Sequence, residues 1–145
     1  MHLIVNEKIQ NYENIQQIKQ LCNYAFKYSK EFLNLSNNLT IELSKLNYPY
    51  RGYYLIKKNK IVLNIKQDLY SILNTLCHEL IHAEQHFRGC LNMINEDIYW
   101  RNKRYKLSSN INDYLDFPWE IEAHNRDKIL TNDIYTKIVK GYIYK

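Results

Sequence analysis

Glycine and proline are scarce in this chain, with three and two copies among 145 residues. Flexible linkers draw on glycine and serine, and rigid ones on proline. The composition therefore leaves no room for a linker between separate units. Neither an internal repeat nor a low-complexity tract is visible, which sets aside solenoids and biased tails. Cysteine is also rare. Cys22, Cys77 and Cys90 form no C-x-x-C pair, and three is an odd number. This argues against a disulfide framework and for a reducing compartment. No apolar run approaches the roughly 20 residues that span a bilayer. The opening Met-His-Leu-Ile-Val-Asn-Glu-Lys lacks the apolar core of a secretion signal. The expectation is a cytoplasmic protein without membrane contact.

Hydrophobic residues make up 46% of the chain, enough for a folded core. A chain of this length fits one domain over residues 1–145. The formal charge of +5 and pI near 9.0 favour acidic partners or nucleic acid only slightly. Abundant Asn, Ile, Lys and Tyr (14 of the last) point to an AT-rich genome such as a phage or other virus, with host cytoplasm or virion as the compartment.

The most informative stretch is Thr75–Gln85, which contains His78-Glu79-Leu80-Ile81-His82, an H-E-x-x-H pattern. Histidines four apart share one helix face, close enough to hold one Zn²⁺. Glu79 stands where a general base for a metal-activated water is needed. The flanks support a helix. Leu69, Ile72, Leu73, Leu76, Leu80 and Ile81 fall near helical spacing, with Asp68 as N-cap and Gly89 as C-cap.

Elsewhere, residues 2–5 suggest a short strand. Residues 13–35 suggest a long helix with an apolar stripe including Ile18, Cys22, Ala25, Phe26 and Phe32, Cys22 being a small core residue. Residues 40–46 form a strand pattern, 47–52 a turn, and 53–56 with 60–65 a hairpin around 57–59. An edge of that sheet can add an extended peptide strand. Residues 90–100 suggest a short helix, and 107–117 a polar, turn-like stretch. Trp100-Arg-Asn-Lys-Arg-Tyr-Lys106 is a basic run with aromatics interleaved. Such a run can meet nucleic acid, although a solvated irregular stretch is the plainer expectation. Pro118 opens a last helix reaching about Lys140, with Ile121, Asn125 and Ile129 as a partial apolar face.

A catalytic zinc takes three protein ligands and leaves one position open. A metzincin pattern requires Gly at 85 and His at 88, where this chain has Gln85 and Arg88. His86 cannot join His78 and His82 on one metal, because His78 to His86 spans about 12 Å along a helix axis. His86 is expected at the surface or behind the ligands. The last helix offers Glu120 and Glu122, and residues two apart point to different faces, so only one can reach the metal.

The H-E-x-x-H motif followed by Glu120-Ile-Glu-Ala123-His124 resembles the gluzincin peptidases, above all their minimal members and the phage-associated repressor-cleaving type. The likeness covers about residues 60–130. It implies an α+β zincin-like domain with a long N-terminal helix, a small mostly antiparallel sheet, the H-E-x-x-H helix and a C-terminal glutamate-bearing helix. It implies one catalytic zinc on His78, His82 and Glu120, with Glu122 as alternative ligand. His124 stands where many relatives carry Asp or Asn behind the ligands. A donor to the developing oxyanion would be Tyr114 or His124, and Cys77 would be inert core. The expected activity is zinc-dependent hydrolysis of peptide or protein substrates with Glu79 as base. Three alternatives are a catalytically inactive zinc-binding regulator, a protease acting on DNA-bound proteins, and a structural domain whose motif is accidental. Oligomeric state is not readable.

Overall fold

A computed structural model of the chain describes residues 1–106 and 114–143, with backbone alone for residues 141–143. The architecture is α+β. Its long helices are α1 (Ile15–Leu33), α2 (Leu69–Phe87) and α3 (Pro118–Ile143). The strands of the first part are β1 (His2–Val5), β2 (Thr40–Ser44), β3 (Gly52–Leu55) and β4 (Lys60–Asn64). Those following α2 are β5 (Leu91–Ile94), β6 (Asp97–Trp100) and β7 (Lys103–Tyr105).

The first four strands form one sheet in the order β1-β2-β4-β3. Helix α1 carries the chain across from β1 to its parallel neighbour β2, a connection that parallel strands require. β4 is parallel to β2, and only β3 runs antiparallel. Antiparallel pairings predominate over the molecule, as expected, but they are divided between two sheets, of which β5-β6-β7 is wholly antiparallel. In β2, buried Ile41 and Leu43 alternate with half-buried Thr40, Glu42 and Ser44. Together with Ile61 and Leu63 of β4 they pack against Cys22, Ala25 and Phe26 of α1 and Leu76 and Leu80 of α2. In α1, Ser29 completes the buried stripe, and Phe32 lies outside it at 52% exposure.

β3 is an edge strand, and it packs directly on α2. A Cβ on Gly52 would sit 2.8 Å from Thr75 Cγ2 and 2.9 Å from Val62 O. The absence of a side chain at 52 is what lets strand and helix approach.

Two sequence expectations are corrected. Residues 90–100 form no helix but the β5-β6 hairpin. Leu91 pairs with Trp100 and Met93 with Ile98, a period of two, and the turn residues Asn95 and Glu96 both have positive φ (51° and 70°). The second turn, Arg101-Asn102, is built the same way (49° and 68°). The basic run 100–106 is therefore a hairpin and not irregular. Secondly, Ile121 and Ile129 of α3 face solvent, at 49% and 68% exposure. The buried face is Glu120, Ala123, Asp127, Leu130, Thr131 and Ile134. It is partly polar because it meets the histidine face of α2. The predicted turn-like residues 107–113 lie outside the described residues.

Candidate metal centre

α2 is closed at both ends by its own sequence. Asp68 Oδ1 accepts from Ser71 N–H at 2.8 Å, as an N-cap does. At the other end the helix stops at Arg88. Gly89 follows with φ 83°, Gly89 N–H bonds His86 O, and Cys90 N–H bonds Gln85 O, both at 3.0 Å. The helix so held presents His78 and His82 to the first turn of α3.

Glu120 enters from that turn, 1% exposed. Its Oε2 lies 3.0 Å from His78 Nε2 and its Oε1 2.8 Å from His82 Nε2, while the two imidazole nitrogens are 3.1 Å apart. These three residues form a group that could hold a metal ion. A tetrahedral ion with bonds of about 2.1 Å separates its ligands by roughly 3.4 Å, so the spacing suits one after slight expansion.

The outward nitrogens decide how the rings are protonated. Asp127 Oδ2 lies 3.0 Å from His78 Nδ1, and a carboxylate oxygen accepts. His78 Nδ1 therefore carries the hydrogen. For His82 the partner is Gln85, whose Oε1 is 2.8 Å from Nδ1. The amide orientation is forced, because Gln85 Nε2 faces two acceptors, Trp119 O at 3.0 Å and Glu122 Oε1 at 3.2 Å. Hence Gln85 Oε1 accepts from His82 Nδ1–H, and in their neutral form both histidines turn the lone pair of Nε2 inward. Neighbours of this kind orient metal-ligating histidines.

Two inward lone pairs and a carboxylate at such distances repel unless a cation lies among them. The titration of the groups expresses the same demand. Burial opposes protonation of His78, but the Glu120 hydrogen bond and the charges of Glu79 and Glu120 outweigh it, and its pKa is pushed up to about 9. His82 is raised against the same desolvation. Glu120 is driven well below the carboxylate range, its own burial being overcome by hydrogen bonds from His78 and His82. A divalent ion fits this donor set.

Glu79 is buried and, with His82, Tyr114 and Glu120, lines a cleft of about 380 Å³ between β3, the 3-10 turn Ile56–Lys58 and the β5-β6 hairpin. Desolvation raises its carboxyl above the usual range, partly offset by His82 and His78, which makes it a better proton acceptor near neutrality. Tyr114 donates to Glu120 Oε1 at 2.5 Å, with its hydroxyl inside the cleft. Burial and Glu120 keep that phenol protonated.

Other sequence candidates lie elsewhere. Glu122 is turned away from the histidines, held by Arg88 (3.0 Å), Arg126 (3.1 Å) and Gln85. His124 lies outside His78 with its ring tilted by 42° and centroids 4.5 Å apart; it is half exposed, stands 3.8 Å from Glu120 Oε2 and does not line the cleft. It stands 3.5 Å from Asp127 Oδ2, so it flanks the partner of His78. His86 bonds Leu91 O at 2.9 Å and stands beside Tyr54, apart from the ligand group. Cys77 is buried and its thiol is pushed up to about 12, hence inert. Asp127 and Gln85 were not singled out by sequence. Their signal, a polar residue on a buried helix face, becomes visible only once α2 and α3 are packed together.

In the basic run, Trp100 and Tyr105 pack against Trp119, and Arg104 pairs with Asp97 at 3.2 Å. Those aromatics are not presented for stacking on bases. No helix among the described residues is long and apolar enough to cross a membrane. No protein-family model, curated protein or solved structure matches this chain.

Proposed function

We propose that the chain is a zinc-dependent peptidase, with His78, His82 and Glu120 as metal ligands and Glu79 as general base. The observation that carries the reading is the convergence of His78, His82 and Glu120 beside a cleft whose wall includes His82, Glu120 and the buried Glu79. A zinc ion held there supplies a Lewis acid that polarises a peptide carbonyl and acidifies water near neutral pH. Glu79 accepts the proton of the attacking water and passes it to the leaving amine nitrogen as the C–N bond breaks. The Tyr114 hydroxyl, already in the cleft, can turn from Glu120 to donate to the carbonyl oxygen as negative charge develops there. β3 offers an extended substrate a strand to lie against, since its outer edge is unpaired within the sheet.

The test is elemental analysis together with turnover of peptide mixtures. Wild type is expected to hold about one zinc and to cleave, with cleavage abolished by chelator. Glu79→Gln should keep zinc and lose turnover by about 10²–10⁴-fold, the usual contribution of a general base. Unchanged function in Glu79→Gln would mark a zinc-binding regulator instead. No zinc in folded wild type would end the metallopeptidase reading.

A further inference from the structure

The charges of the cleft are unevenly matched. Its two carboxylates, Glu79 and Glu120, lie beside His78 and His82 and are balanced by them. Its two lysines, Lys57 and Lys58, have no such balance. Both are exposed on the 3-10 turn that continues β3, and both line the cleft. Nearby Lys60 is paired with Glu42 at 2.8 Å, whereas no ion pair to Lys57 or Lys58 occurs among the described residues. Directly beside them the cleft wall is apolar, formed by Ile56, Met93, Ile98 and Trp119. One turn of chain thus places two unmatched ammonium groups next to an apolar hollow, within the same cleft as Glu79.

We infer that the cleft selects a peptide in which a carboxylate docks on Lys57 and Lys58 while a neighbouring apolar side chain enters the hollow. This rests on the peptidase reading and names its substrate class. The carboxylate is that of an acidic side chain or of a free C-terminus, which present the same chemistry to an ammonium group. Lys57 and Lys58 are then specificity-determining residues that act in binding and have no part in the bond-breaking step.

The experiment uses the full chain as zinc-loaded Glu79→Gln and fluorescein-labelled peptides with a central Leu-Phe pair. The pair is flanked by Glu, Gln or Lys, and each peptide is made with a free and an amidated C-terminus. Anisotropy should give Kd values about 10-fold lower for Glu than for Gln flanks, within what two exposed ion pairs supply. The advantage should shrink in high salt. If the flanks bind alike and amidation weakens all of them about 10-fold, the free C-terminus is the partner. Reversing the charges with Lys57→Glu and Lys58→Glu, at exposed positions where folding is unaffected, should shift the preference to Lys flanks. Equal binding of Glu- and Lys-flanked peptides that amidation leaves unchanged, or binding of none, overturns the inference. Wild-type turnover of the same peptides separates the two claims. Cleavage without preference leaves the peptidase and removes the selectivity, whereas selective binding without cleavage by wild type removes the peptidase and leaves an acidic-peptide binder.

Discussion

Gln85 accepts from His82 because its amide nitrogen already has the Trp119 carbonyl and the Glu122 carboxylate as partners. Gln85→Leu removes that constraint, so His82 can place its hydrogen on either nitrogen. Zinc affinity is expected to fall by about 10–100-fold, measured by competition with a chromophoric chelator. Glu122→Ala should keep one zinc per chain, because the carboxylate faces Arg88 and Arg126 and not the histidines. Its cost appears in stability, about 1 kcal/mol for partly exposed pairs, read by denaturant unfolding. Glu120→Ala should lose the metal. At this scale sequence spacing displayed His78, Glu79 and His82 fully, since a helix alone fixes their relation. It offered Glu120 and Glu122 as rivals, and only the resemblance ranked them. Gln85 and Asp127 were hidden because each orients a ligand from a position that acquires meaning only through packing.

Between elements, β3 packs closely on α2, and both contribute residues to the cleft. Gly52→Ala would drive a methyl group into Thr75 and the Val62 carbonyl. β3 must then move outward by several tenths of an ångström. Thermal unfolding should show a lower Tm, and KM for peptides should rise more than zinc content falls. The strands and helices up to residue 89 were legible from their periods, because each buries one face against a common core. The β5-β6-β7 sheet was not. Its turns, Asn95-Glu96 and Arg101-Asn102, reach positive φ without the glycine that usually announces such a turn. The face of α3 was also misread, since apolar spacing points to Ile121 and Ile129 while the helix actually buries Glu120 and Asp127 against α2.

For the whole molecule, charge in the centre couples stability to pH and to metal. Without metal, protonation of His78 holds the group together. Its folded pKa of about 9 lies above the ordinary 6.5. The stabilisation is therefore complete below about 6.5 and is lost as pH rises through 9. Chelated protein is expected to show a falling Tm between these values, while zinc-loaded protein stays nearly level, which thermal scans at pH 6.5, 8 and 9.5 would record. Bound zinc adds about 2.7 kcal/mol at a free concentration 100 times its Kd.

α2 and α3 are also joined by Arg126, which bonds both Glu84 and Glu122. The three-stranded sheet, which lies between them in the chain, is thus tied at its neck. The ties are side-chain contacts and owe nothing to the peptide bonds at the tip. A single protease nick between Asn95 and Glu96 should therefore yield two fragments that still migrate as one particle and retain the metal, coming apart only when chelator at a pH above about 9 frees the centre and high salt screens the arginine pairs.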